Sequence, residues 1–114
     1  SFEAPVESIC PAGLLDFKDK DGVAYYEADE APENRKVNAD GKGWLSYEAN
    51  GLVLTKRFAD LTPEQPAPGE AEIQVYVNQG KTYIEIESQG AYTALAPGEN
   101  LSWTVRWYLK PAEN

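Results

Sequence analysis

Hydrophobic and polar positions alternate most regularly near the end of the chain. Every second residue between positions 101 and 109 is apolar: Leu101, Trp103, Val105, Trp107 and Leu109. Successive side chains of a β-strand point to opposite faces, so this pattern predicts a half-buried strand over residues 101–109. We expect Trp103, Val105 and Trp107 to be buried. The residues between them are expected to be more exposed, namely Thr104, Arg106 and Tyr108.

Shorter strands and tight turns are predicted before this segment. Residues 71–77 and 82–89 also alternate, and their inward positions are Ile73, Val75, Val77, Ile84 and Ile86. Asn50-Gly51 and Asp21-Gly22 are typical of two-residue hairpin turns, the second joining Leu14–Phe17 to Val23–Tyr26. Pro97-Gly98 suits a type II turn. Strands joined mostly by hairpins predict an all-β protein, an antiparallel β-sandwich.

Two segments rich in turn-forming residues are predicted to be long loops. Residues 29–43 are polar and contain Pro32, Gly41 and Gly43. Residues 61–70 contain three prolines, and proline lacks the amide donor that a central strand needs. The 114 residues are therefore predicted to form a single β-sandwich domain interrupted by these two loops.

Composition excludes several classes of function. The chain has ten Lys and Arg residues and 19 Asp and Glu residues, which give a net charge of −9. This negative charge opposes binding to nucleic acid or to an anionic membrane. The chain has one Cys and no His, which excludes the usual zinc sites and the Ser-His-Asp and Cys-His nucleophile systems. We therefore expect no metal and no cofactor.

Candidate chemistry lies on the polar side of the predicted strands. Glu85 and Glu87 are two residues apart, so both side chains project from one face. The same face would carry other residues if the neighbouring strands pair alongside: Tyr76, Tyr83, Gln89, Arg106 and Tyr108. Carboxylates, amides, guanidinium groups and tyrosines are what sugar sites use. A solvated outer face, with Glu85 or Glu87 opposite Arg106 as an ion pair, is the other interpretation, and the residues alone favour it.

One succession of motifs adds to this interpretation. A strand ending in Ile86-Glu87-Ser88-Gln89 is followed by Leu95-Ala96-Pro97-Gly98-Glu99 and then by the predicted strand 101–109. This order resembles the C-terminal end of the galactose-mutarotase-like superfamily, which contains aldose 1-epimerases and related sugar-binding supersandwiches. Some of its families have no assigned function, and a weaker similarity to those extends over residues 36–58.

The resemblance implies a carbohydrate-binding segment with an incomplete catalytic apparatus. Glu87 matches the base that takes a proton from the anomeric hydroxyl, and Glu85 is the alternative match. The His residues that donate a proton in the family belong to an earlier half, and this chain has no His. We therefore expect no epimerase activity from the chain alone.

The chain is much shorter than the supersandwich that it resembles. The chain has no Met and a supersandwich is well over twice its length, so we expect a C-terminal piece of a longer protein. Its apolar face would be covered by the 14–26 hairpin, by a homodimer or by a missing N-terminal half. The alternative function is that of a structural or protein-interaction sandwich with no small-molecule site.

Overall fold

The computed structural model describes residues 2–9, 18–20 and 23–113 and is all-β, as predicted. The described residues form nine strands: β1 Phe2–Ile9, β2 Lys18–Lys20, β3 Val23–Tyr26, β4 Arg35–Gly41, β5 Trp44–Ala49, β6 Leu52–Arg57, β7 Ile73–Val77, β8 Ile84–Ser88 and β9 Arg106–Pro111. A single 3-10 turn, Gln79–Lys81, lies between β7 and β8. All of the described strand pairs are antiparallel.

The strands form two sheets that share β1. Sheet A has the order β2-β3-β1-β5-β6-β9, and sheet B has the order β1-β4-β7-β8. Residues 2–5 of β1 pair within sheet A, whereas residues 6–9 pair with β4 in sheet B. The register shifts between Val6 and Ser8, and such an irregularity lets one strand turn the corner between two layers. The result is a sandwich-like fold with one open side.

The core lies between the two sheets and follows the predicted alternation. Ile73, Val75 and Val77 of β7 are buried, as predicted. They meet four further buried residues, which are Tyr26, Val37, Ala39 and Leu45. Ile84 and Ile86 of β8 are partly buried against this cluster, which confirms their inward direction.

Two predicted turns are present with the expected backbone geometry. Asn50 and Gly51 have φ values of 54° and 76°, and two successive positive values define the hairpin turn between β5 and β6. Gly98 has φ of 88°, and the Glu99 N–H donates to the Ala96 carbonyl at 3.0 Å. This arrangement is the type II turn expected for Pro97-Gly98.

The predicted loop over residues 29–43 is wrong in its second half, where Arg35–Gly41 forms β4. Val37 and Ala39 point into the core, while Lys36 and Asn38 point outward. The strand was missed because only two apolar residues mark the inward side of β4, while Asn38, Asp40 and Gly41 are residue types common in turns. By contrast, residues 61–70 contain turns and no strand. Leu14–Phe17 lies outside the described residues, and the strand that pairs with β3 is Lys18–Lys20.

The prediction for the last strand is also wrong in extent and in burial. The strand begins at Arg106, five residues later than predicted, and includes Pro111. Trp107 and Leu109 are 68% and 65% exposed, and Leu101 and Trp103 are exposed as well. The cause is that β9 pairs with β6 at the edge of sheet A, whereas β8, the last strand of sheet B, packs against β5. Nothing in the described part of sheet B covers β9.

The 14–26 hairpin does not cover this apolar row either. Its described part, β2 and β3, adjoins β1 and so lies at the opposite end of sheet A from β9. Thr104, Arg106 and Tyr108 are exposed as expected. Val105, which was predicted to be buried, is only half-buried, and Trp107 is exposed. The last strand therefore presents both faces to solvent in the single chain.

Candidate functional site

A cavity of about 320 Å³ opens on the outer face of sheet A. The neighbouring strands β5 and β6 supply most of its lining, which is Trp44, Ser46, Glu48, Val53, Thr55 and Arg57. Lys110 of β9 and Glu113 complete it. The cavity therefore draws on three adjacent strands of one sheet.

The register of the sheet explains why these side chains meet. Trp44 lies opposite Arg57, Ser46 lies opposite Thr55, and Glu48 lies opposite Val53. Residues directly opposite each other in an antiparallel pair point to the same face. The alternate residues, such as the fully buried Leu45, point into the core. Period-two alternation in β5 and β6 thus separates the cavity residues from the core residues.

The cavity combines an aromatic ring, hydroxyl groups and balanced charges. Trp44 is half-buried, and Ser46 and Thr55 place hydroxyl groups beside it. Two carboxylates, Glu48 and Glu113, balance two cations, Arg57 and Lys110, so the lining has no net charge. Such a lining suits a neutral ligand with many hydroxyl groups better than an anion.

The seven residues predicted for a single polar face are divided between the two sheets. Arg106 lies opposite Arg57, and Tyr108 lies opposite Thr55, so both adjoin the cavity on sheet A. The other five lie on or beside β7 and β8 of sheet B: Tyr76, Tyr83, Glu85, Glu87 and Gln89. The expected cross-strand pair of Arg106 with Glu85 or Glu87 is therefore wrong, because β9 pairs with β6.

On sheet B, Tyr76 and Tyr83 form a small aromatic cluster next to Glu85. Their ring centroids are 5.7 Å apart, and the Tyr76 hydroxyl donates to Asn78 Oδ1 at 2.8 Å. Desolvation raises the pKa of Tyr76, and the neighbouring Tyr83 and Glu85 add to the rise. Glu85 lies opposite Tyr76 and Glu87 lies opposite Gln74, and both carboxylates are exposed.

Gln89 was predicted to line a binding site, but its side chain binds the loop formed by residues 61–70. Its Oε1 accepts a hydrogen bond from the Ala67 N–H at 3.0 Å. Its own backbone N–H donates to the Glu72 carbonyl at 2.9 Å, which continues the pairing of β7 with β8. The Gln74 amide also reaches this loop, through a hydrogen bond to Glu70. Residues 61–70 are thereby tied to this end of sheet B.

Glu72 is a fully buried carboxylate that joins two loops. It accepts hydrogen bonds from the Gly43 N–H at 3.3 Å, in the turn between β4 and β5, and from the Leu61 N–H. Burial raises the pKa of Glu72 to about 7, the two backbone donors oppose the rise, and Asp60 adds to it. Because its oxygens bind backbone donors inside the protein, we interpret Glu72 as a structural latch and not as a ligand group.

The raised pKa of Glu72 predicts that the free energy of unfolding depends on pH. Its folded value of about 7 lies above the ordinary 4.5, so the folded state binds the proton more tightly than the unfolded state. The resulting stability is fully present below pH 4.5 and is lost as the pH rises through 7. We expect urea unfolding to show a fall of about 2 to 3 kcal/mol in the free energy of unfolding across this window.

Two variants test that assignment. Glu72→Gln has no titrating group and is expected to be less stable at pH 5 but to lose most of the slope between pH 5 and 8. Asp60→Asn keeps the carboxyl group of Glu72 and removes a neighbour that raises its pKa, so the midpoint of the loss moves to lower pH. An unchanged slope in Glu72→Gln would assign the pH dependence to another group.

Lys56 connects the two sheets from the inner face of sheet A. Its side chain is mostly buried, and its ammonium group donates to the Ile86 carbonyl of β8 at 3.3 Å. Burial lowers the pKa of Lys56, and the carboxylate of Glu87 opposes this change. Lys56 thereby links β6 of sheet A to β8 of sheet B.

The described part of the chain contains neither a metal-binding cluster nor a membrane-spanning helix. Within residues 2–9, 18–20 and 23–113, no group of three or more His, Cys, Asp or Glu side chains is placed to hold a metal ion. No helix among these residues has the length and apolar character needed to cross a membrane. The cavity on sheet A is therefore the candidate ligand site in this part of the chain.

None of the residues that line the cavity was predicted from the sequence as a site residue. A signal was present, because Trp44, Ser46 and Glu48 alternate with apolar residues along β5 and face the outward residues of a predicted hairpin. Lys110 could not be assigned in this way, since its neighbour Val53 is far away in sequence.

Compared with known proteins, the chain matches no family model, no curated protein and no solved structure. The cavity lies on regular strands, so the register of sheet A determines which side chains share its face.

Proposed function

We propose that the chain is a carbohydrate-binding β-sandwich whose ligand occupies the cavity on the outer face of sheet A. The observation that carries this proposal is the half-buried Trp44 beside the hydroxyl groups of Ser46 and Thr55 in a lining of balanced charge. An aromatic ring stacks on the apolar face of a pyranose, and charged side chains take its hydroxyl groups in hydrogen bonds. The volume of about 320 Å³ is at the small end of ligand pockets and suits one sugar ring.

The resemblance to the galactose-mutarotase-like superfamily supports the same class of ligand. We propose binding without epimerisation, because Glu87 lies on sheet B and the cavity lies on sheet A. Glu87 also has no His to act as its acid partner. Arg106 and Tyr108 adjoin the cavity and would extend its polar rim toward a second ring.

Titration of the chain with galactose and with glucose tests the proposal. Loss of the Trp44 ring is expected to weaken binding about tenfold, because aromatic contacts contribute on the order of 1 kcal/mol beyond the area they bury. The measurement is isothermal titration calorimetry of wild type and Trp44→Ala with each sugar.

The matched control is Trp107→Ala, which removes an exposed tryptophan from the opposite face of the same sheet. It is expected to bind sugar as wild type does. Failure of wild type to bind a panel of monosaccharides, or equal losses in the two Trp variants, would refute the proposal.

A protein-interaction sandwich is the second candidate, and a specific observation favours it. The exposed apolar row of Trp107 and Leu109 lies at a sheet edge that has no described partner strand. Exposed apolar patches beside an unpaired edge are typical of surfaces that another strand or sheet covers. The two candidates are compatible, because the apolar row and the cavity lie on opposite faces of sheet A.

A further inference from the structure

The inner face of sheet A extends beyond sheet B and stays apolar where it does so. The fully buried Leu45 belongs to the same cross-strand row as Lys56 and Trp107. The next row runs from Tyr47, which packs against the core, to Leu54 and then Leu109. We call the apolar residues at this end of the inner face the apolar overhang. Leu52, Trp107 and Leu109 of the overhang are exposed, and Leu54 is half-buried.

The edge of β9 beside the overhang has backbone groups ready to pair. The Ala112 N–H donates to the Gly51 carbonyl at 2.9 Å, so the even-numbered residues of this segment turn their backbone groups toward β6. The odd-numbered residues Trp107 and Leu109 therefore turn their N–H and C=O groups toward the open edge. Pro111 also faces this edge, where its missing N–H costs no bond to β6.

Among the described strands only β7 pairs with β8, so the other edge of β8 is open in the same way. The Asn78 N–H donates to the Tyr83 carbonyl and the Gln89 N–H donates to the Glu72 carbonyl, so odd-numbered residues face β7. The backbone groups of Ile84, Ile86 and Ser88 consequently face outward. Lys56 donates to the Ile86 carbonyl, but that oxygen has a second lone pair available for a strand partner.

Charge distinguishes the two edges from each other. On the outer face, β8 carries the exposed carboxylates Glu85 and Glu87, whereas β9 carries the exposed cations Arg106 and Lys110. Pairing β8 with β8, or β9 with β9, would bring like charges together, which destabilises a sheet. Pairing β8 with β9 brings opposite charges together on the outer face. It also aligns Ile84 and Ile86 with Trp107 and Leu109 on the inner face.

We propose that two copies of this chain form a symmetric dimer in which β9 of each copy pairs with β8 of the other. Sheet A is the longer layer in each copy, and a two-fold rotation places the overhang of one copy over the overhang of the second. Each contact is then made twice and the assembly closes, so no apolar overhang is left exposed. A second copy is the partner that supplies both the complementary charge and a layer of matching width.

Charge reversal with sedimentation velocity in about 0.05 M salt, where screening is weak, tests the dimer. One variant carries Glu85→Lys and Glu87→Lys, and the other carries Arg106→Glu and Lys110→Glu. Each variant alone has two edges of the same sign and is expected to self-associate at least about tenfold more weakly than wild type. An equimolar mixture restores both pairs of opposite charge, so it is expected to form a dimer.

Recovery in the mixture also shows that both variants are folded, and far-ultraviolet circular dichroism checks each one separately. Because Lys110 also lines the cavity, association is measured by sedimentation and not by sugar binding. A wild-type chain that stays monomeric at about 100 μM would overturn the proposal. Its dissociation constant for self-association would then exceed about 0.1 mM, which is too weak for a specific dimer with an interface of ordinary size. Self-association of the Glu85→Lys, Glu87→Lys variant as tight as that of wild type would also overturn it, because the contact would then not depend on opposite charges on β8 and β9.

Discussion

Replacing Leu45 with alanine is expected to lower the free energy of unfolding by about 2 to 5 kcal/mol. Leu45 is 0% exposed and lies in the cluster formed by the facing residues of the two sheets. The substitution removes apolar contacts and leaves a cavity that regular strands on both sides cannot close by moving. Urea unfolding followed by circular dichroism measures the change at a pH where Glu72 is protonated.

Leu95→Ala is the matched control, because Leu95 is 50% exposed in the connection between β8 and β9 and lies outside the apolar overhang. Its expected effect is within about 0.5 kcal/mol. A cost for Leu95→Ala close to that of Leu45→Ala would mean that the connection is part of the core. A neutral Leu45→Ala would contradict the sandwich itself.

The parts of the fold that were predicted correctly depend on local pattern. In β7, every second residue from Ile73 to Val77 is apolar and the core lies on that side, so one strand is enough to assign the direction. Asn50-Gly51 and Pro97-Gly98 were also predicted from their own residues, since backbone preference at two positions determines the turn. In each case the deciding interaction lies within a few residues of the chain.

The errors arose where distant strands decide the outcome. Alternation correctly shows that Trp107 and Leu109 share a face, but it contains no information about the width of the opposing sheet. Burial on that face requires a strand of sheet B opposite β9, and β8 is the last strand of sheet B among the described residues. The β4 strand was hidden for a related reason, because its pairing with β7 outweighs the turn-forming residues around it.

The candidate site divides along the same line. Trp44, Ser46 and Thr55 belong to a hairpin whose turn is evident in the sequence, so their common face follows from local register. Arg106 and Tyr108 were predicted to share a face with Glu85 because consecutive strands often pair. However, β9 pairs with β6 and not with β8, the strand that precedes it in the chain. Glu72 alternates with the inward residues of its segment and yet is fully buried. Its hydrogen bonds to Leu61 and Gly43 belong to loops whose positions alternation cannot predict.

The second large effect is expected for Gly43→Ala, in the turn between β4 and β5. Gly43 has φ of +83°, a conformation that costs an alanine roughly 1 to 2 kcal/mol. A Cβ atom at this position would also lie 2.6 Å from the Phe58 carbonyl oxygen, a backbone atom that cannot rotate away. The backbone of Gly43 is itself held, since its carbonyl accepts from the Phe58 N–H at 2.9 Å and its N–H donates to Glu72. Relief of the contact would therefore break bonds at both loops that the Glu72 carboxylate joins.

Gly51→Ala separates these two causes. Gly51 has φ of +76°, but no atom lies within 4 Å of the position of a new Cβ. An alanine at this position is therefore destabilised by the backbone conformation alone. We expect Gly51→Ala to lower the free energy of unfolding by about 1 to 2 kcal/mol and Gly43→Ala to lower it by at least about 3 kcal/mol, measured by urea unfolding of both variants. Equal losses would show that the approach of Gly43 to Phe58 is loose. A larger loss at Gly43, together with a shifted pH dependence, would show that this turn and the buried carboxylate of Glu72 act as one unit.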